Sequence, residues 1–291
     1  LAQFGEVDGW EVKACLGHAP GRRYGSFGEI TIMTSMTNSL PASGGRDRGF
    51  FLGGAIAMTF VLMAGFSLQL AMGRSSFAAP LYVHAHAVVF MGWVGIYLLQ
   101  NIFAATGRTA LHRQLGWIAA GWVFLMLIAG CVVTLAIVQR GAAPFFFRPL
   151  HFLVFDTVSL FTFAGLTAAA ITLRRETDWH RRLHFCAMAM LLGPGFGRLL
   201  PMPLLTPWAW EATLVACLAF PLAGMVADLR RNGRVHPAWF WGVGALLVSA
   251  MAIEAITYSP VGDAIYRAVT AGTPGAVVAP LEFPKPPGPP A

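Results

Sequence analysis

The chain has 291 residues, 56% of them apolar and 11% charged, with mean hydropathy +0.63 and formal net charge +7. Soluble domains carry about a quarter charged residues, so this composition excludes an ordinary soluble enzyme and points to a membrane protein. In that setting the positive balance marks the cytoplasmic side of a membrane and gives no sign of a nucleic-acid partner.

Residues 1–49 carry scattered Gly, Ser, Thr and charge without a period, and form a poorly structured N-terminal segment. The chain begins with Leu1; Met33 or Met36 would serve as a start, and no apolar run follows a basic beginning as in a signal peptide. Seven apolar stretches follow, at about 50–72, 81–104, 115–138, 149–173, 182–204, 209–229 and 237–258. Each approaches the roughly 20 residues that a helix needs to cross hydrocarbon. Backbone groups must be satisfied inside lipid, and the stretches do not alternate as barrel strands would. The fold class is therefore all-α, a polytopic helical bundle of about seven spans over 50–259. The stretch "LLGPGFGRLLP" around Pro194 predicts a broken fifth span. Residues 260–291 are rich in Pro and read as a disordered tail.

Arginines gather before the first stretch (Arg46, Arg48) and between the second and third (Arg108, Arg113). More lie between the fourth and fifth (Arg174, Arg175, Arg181, Arg182) and the sixth and seventh (Arg230, Arg231, Arg234). The alternate loops hold only Arg74, Arg140, Arg148 and Arg267. This asymmetry places the N-terminus inside, in the cytoplasmic membrane of a bacterium. Cys131, Cys186 and Cys217 fall in separate spans and Cys15 in the N-terminal segment, with no C-x-x-C pair for zinc or a dithiol and no C-x-x-C-H for attached haem. There is no G-x-G-x-x-G beside a strand and no soluble domain to carry a nucleotide.

The frame H-x-x-V-F occurs twice, in "HAVVF" from His86 and "HFLVF" from His151. The frame H-R-x-L also occurs twice, in "HRQL" from His112 and "HRRL" from His180. His86 and His112 are 26 residues apart, and His151 and His180 are 29 apart. The four central spans thus read as a two-helix unit used twice. By topology His86 and His151 lie toward the outer face, and His112 and His180 toward the inner face. Two axial imidazoles from facing helices are what a six-coordinate haem b requires, so the two pairs are candidate metal ligands for two haems, or one. Arg148 beside His151, and Arg113 and Arg181 beside the inner pair, are candidates for haem propionates. Their alternative role is the positive-inside signal alone.

Residues 80–205 resemble the core of the two-haem transmembrane cytochrome b family that includes the ascorbate-dependent ferric reductases, in which four successive helices each give one histidine. "HRQLG" from His112 is similar to that family's His-x-x-Leu-Gly. The resemblance implies electron transfer across the bilayer, with a quinol or small reductant as donor, in a transmembrane oxidoreductase. The runs "ATGRTALHRQLGW" and "DWHRRL" also resemble a broad group of uncharacterised bacterial multi-pass membrane proteins. The first histidine spacing is short for that family, and no ascorbate-binding segment stands out.

His84 lies about 200° around a helix from His86, so only one of the two faces the core. His84 and His184 are substitute ligands, the latter one turn beyond His180. The stripe His86, Phe90, Trp93, Tyr97, Gln100 suits a flat cofactor or plain aromatic packing. Asp156 and Arg198 are intramembrane charges at similar depth, each costly alone, and are predicted to pair, structurally or around a proton or a quinone headgroup. Glu254 has no evident partner, and His18 and His236 lie outside the spans. Three other readings compete with the cytochrome. A non-haem metalloenzyme needs histidines converging on one face, and H-x-x-H-H is absent. A non-enzymatic transporter or sensor of protons or small solutes would use Asp156, Arg198 and the histidines. A structural partner of a larger complex carries no signature. Nothing here specifies the oligomeric state.

Overall fold

The computed structural model describes residues 44–74 and 78–286, all of them in one compact unit spanning 42–291. Cys15, His18, Met33 and Met36 lie outside the described residues, as does the end of the Pro-rich tail.

The fold is all-helical. In chain order the helices are α1 (Gly44–Ala71), α2 (Leu81–Ala105), α3 (Thr109–Gln139), α4 (Pro149–Thr172), α5 (Thr177–Met190), α6 (Gly193–Leu199), α7 (Ala209–Asn232), α8 (Pro237–Thr257) and α9 (Pro260–Thr270), with 3₁₀ turns at Met202–Leu205 and Pro274–Val277. Six of them, α1 to α4, α7 and α8, are long and apolar enough to cross a bilayer among the described residues. Their outward faces carry large apolar side chains: Phe60 on α1, Phe124 on α3 and Trp241 on α8 are each 70% exposed. Water would penalise such a surface and lipid accepts it, so the chain is a polytopic membrane protein.

The expected fifth span, 182–204, is divided. Pro194 has no N–H to give, and its ring would collide with the carbonyl of Met190 in a continued helix. The α5 helix accordingly ends at Met190, tightened by i→i−3 bonds from Leu191 to Met188 O (3.1 Å) and Leu192 to Ala189 O (3.2 Å), and α6 restarts with Pro194 in its first turn. Short α6 lies directly on α1. A Cβ on Gly65 would meet the carbonyl oxygen of Gly195 at 2.6 Å and the Arg198 Cβ at 3.3 Å, so glycine at 65 is what allows the two backbones to touch. This contact sets the position of Arg198.

Packing is closest within the hairpins α2–α3 and α4–α5, with α8 laid against α4 and α5, and α7 against α5, α6 and α8. The end of the bundle where α1, α5 and α8 start holds a T-shaped and stacked group of Phe50, Phe51, Phe185 and Trp239. The expectation of a disordered segment from 260 fails for residues up to 286. Ser259 caps α9 by accepting from Gly262 N (3.2 Å), Tyr266 is buried beneath it, and Leu150 N donates to Pro280 O (2.9 Å).

Candidate functional site

The two histidines expected at the inner face meet. His112 and His180 stand at the starts of α3 and α5 with ring centroids 6.1 Å apart and planes at 82°. Each uses Nδ1 on a carbonyl of the preceding helix, His112 on Gln100 O (3.3 Å) and His180 on Ala170 O (2.8 Å). His184 follows one turn on, 4.8 Å from His180.

The outer histidines do not pair. His86 stacks on Phe90 (4.1 Å) and sets Nδ1 toward Ala129 O (3.4 Å). His151, 7% exposed, engages Glu254 Oε1 through Nε2 at 3.0 Å and packs against Trp210. The two face different spaces: His151 borders a small pocket of about 20 Å³ with Glu211 and Tyr258, and His86 borders the central cavity described below.

Among the described residues, no group of three or more His, Cys, Asp or Glu side chains is placed to hold a metal ion. This corrects the cytochrome reading. The haem b cofactors, the metal roles of His86, His112, His151 and His180, the substitute roles of His84 and His184, and electron transport as the function are withdrawn. The non-haem metalloenzyme fails on the same ground. The arginines assigned to propionates have other duties. Arg148 donates to the Tyr258 hydroxyl and lies over the Phe283 ring at 4.8 Å, Arg181 pairs with Asp47 and Asp178, and Arg113 is exposed.

Between the helices, in the half of the bundle that holds the end of α1 and the start of α2, is a cavity of about 1150 Å³ lined by all six spans and by α5 and α6, and walled by Phe66, Phe90, Phe147, Phe152, Phe155 and Trp210. Its rim reaches the surface at Met72 and Leu204, 50% and 84% exposed. Asp156, Arg198 and His86 all line it. Asp156 and Arg198 are near enough for their charges to act on each other, and Arg198 likewise acts on His86. The predicted direct pair is not made, however. Asp156 Oδ2 accepts from the Thr134 hydroxyl. Arg198 gives Nη1 to Pro194 O (2.9 Å) and lies over the Phe66 ring at 4.0 Å. Both charges therefore line one cavity without a direct bond between them.

A second charged group, at the end of the bundle where α1 starts, has a different character. Arg182 and Asp228, with side chains 2% and 3% exposed, form a two-pronged pair: Nε to Oδ2 and Nη2 to Oδ1, both 2.9 Å. Trp239 Nε1 (2.9 Å) and His236 N (3.3 Å) also donate to Asp228. Nearby, Asp47 accepts from Arg181 (2.5 Å) and Arg231 (2.9 Å). These pairs tie together the starts of α1, α5 and α8 and the end of α7. Sequence reasoning missed them, because arginines at span ends are already explained by the positive-inside rule. It also left Glu254 without its partner His151, and treated His236 as incidental, although its Nδ1 caps α8 by accepting from Ala238 N (3.2 Å).

Comparison of the chain with protein-family models, with curated proteins and with solved structures gave no match, so any functional reading rests on these groups themselves.

Proposed function

We propose that this chain is a non-enzymatic membrane transporter or sensor in which Asp156, Arg198 and His86 handle protons and a small solute within the central cavity. The observation that carries the reading is the placement of two opposite charges and an imidazole around one chamber of about 1150 Å³ that opens at its rim. Ionisable side chains at membrane depth are costly and are retained where they serve a pathway. A cavity bordered by every span is also where relative helix movement would be felt. The seven-span topology is part of the proposal. Asp47 at the start of α1 contacts Arg181 at the start of α5 and Arg231 at the end of α7. Those three ends share a face if α5 and α6 together complete one crossing, with the N-terminus inside a bacterial cytoplasmic membrane. The two-helix repeat is supported by His112 and His180, which occupy matching places at the starts of α3 and α5 and make matching bonds to the helix before.

The test is reconstitution of the full chain in vesicles enclosing a pH-sensitive dye. Dissipation of an imposed pH gradient, faster than in empty vesicles and dependent on Asp156, is the transporter outcome. Tryptophan fluorescence that follows pH through Asp156 without any flux is the sensor outcome. The absence of both would overturn the proposal.

A further inference from the structure

The polar groups of the central cavity are unequally satisfied. Asp156 has Thr134, and His86 has Ala129 O. Arg198 carries five N–H donors and a permanent charge, yet its side chain has one hydrogen bond, to Pro194 O, and an aromatic ring beneath it. Among the described residues, no carboxylate lies within ion-pair distance of Arg198. The cavity therefore offers the unused donors of a guanidinium that no carboxylate touches, inside an otherwise aromatic and aliphatic wall. Its volume, about 1150 Å³, exceeds the roughly 300–1000 Å³ usual for small-molecule sites.

We propose that the cavity binds an amphiphilic monocarboxylate, its carboxylate on Arg198 and its apolar chain along the aromatic wall, and that each molecule is bound together with one proton carried by Asp156. This rests on the solute-and-proton reading above and gives it a substrate class. The coupling follows from charge. Arg74 is exposed at the rim, and deeper in the chamber Arg198 and Asp156 balance, so an added anion would leave one uncompensated negative charge there, which is expensive at membrane depth. When the acid's proton ends on Asp156, one carboxylic O–H is broken and another formed. No electrons change hands, and the net charge of the chamber is unchanged. The titratable or charged groups around Asp156 are Arg74 after α1, His86 on α2, Cys131 on α3, Arg198 on α6 and Cys217 on α7.

The experiment uses the full chain in lipid nanodiscs with dansyl-labelled undecanoic acid as the fluorescent probe, displaced by dodecanoate or by dodecanol. Proton uptake is followed by a dye in weak buffer. Dodecanoate should displace the probe, dodecanol should not, and one proton should be taken up per anion bound. Arg198→Gln should weaken the probe about tenfold or more, with Arg198→Lys in between. Asp156→Asn, which keeps a partner for Thr134, should bind the probe with no proton uptake. Displacement by dodecanol as good as by dodecanoate, or proton uptake that survives Asp156→Asn, overturns the inference, even if the arginine variants fail to fold. If dodecanoate does not bind while Asp156-dependent proton movement persists in vesicles, this inference fails and the broader function stands. Loss of both defeats both.

Discussion

Replacing Asp228 by alanine strands Arg182, a guanidinium whose side chain is only 2% exposed. Two charge-assisted bonds of 2.9 Å are lost at once, and Trp239 Nε1 and His236 N lose their acceptor. Removing one partner of a buried pair costs about 3–5 kcal/mol, most of it from the charge left behind. Arg182 would keep Asp178, through the backbone oxygen at 3.0 Å and the carboxylate at 3.1 Å. That carboxylate is 58% exposed and well screened, so it offsets only part of the loss. An orphaned indole N–H adds about 1 kcal/mol. The expected destabilisation is therefore ~3–4 kcal/mol, measured by SDS-titrated unfolding in mixed micelles. The double change Asp228→Leu with Arg182→Met should recover most of it, since an apolar pair of similar volume leaves no buried charge. A single variant within about 1 kcal/mol of the parent, or a double variant as damaged as the single, would refute the idea that this pair holds together the end of the bundle where α5 and α8 start.

Three further outcomes are expected. Gly65→Val should loosen α6 from α1, because its Cβ alone would sit 2.6 Å from the Gly195 carbonyl oxygen; the check is thermal stability together with faster labelling of a cysteine placed at Arg198. Burial, and then Arg182, hold His236 below its ordinary value of 6.5, so the unfolded chain binds the extra proton first. His236 thus contributes stability above about pH 6.5 that is lost as pH falls through its folded value, and His236→Asn, which keeps the cap, should flatten that dependence in melting curves taken between pH 5 and 8. Glu254→Ala should leave His151 without its partner and lower stability by about 1–2 kcal/mol in the same SDS titration, with Glu254→Gln milder.

Much of the fold was legible in the sequence, since length and hydropathy locate membrane helices directly. The break at Pro194 was legible too, because proline removes a donor wherever it stands. Helix α9 was hidden by the prolines and glycines around it. Its own signals were present: a capping serine at 259, proline at the first position, and apolar residues at Ile265, Tyr266 and Val269. The histidines show the deeper limit. Topology gives depth, so His112 and His180 were rightly placed near each other, but depth says nothing of direction around a helix. His86 turns into the cavity and His151 turns to Glu254, and no frame in the sequence distinguishes those outcomes. The same holds for Asp156 and Arg198, which reach one chamber without touching. The Arg182–Asp228 pair joins residues 46 apart on different helices, and no periodicity marks it.

The most direct measurement is the rate at which vesicles containing the full chain dissipate an imposed pH gradient, compared with vesicles containing Asp156→Asn. The account predicts dissipation above the background of empty vesicles for the parent and background alone for the variant, with both proteins equally folded. Equal rates for the two proteins would contradict it.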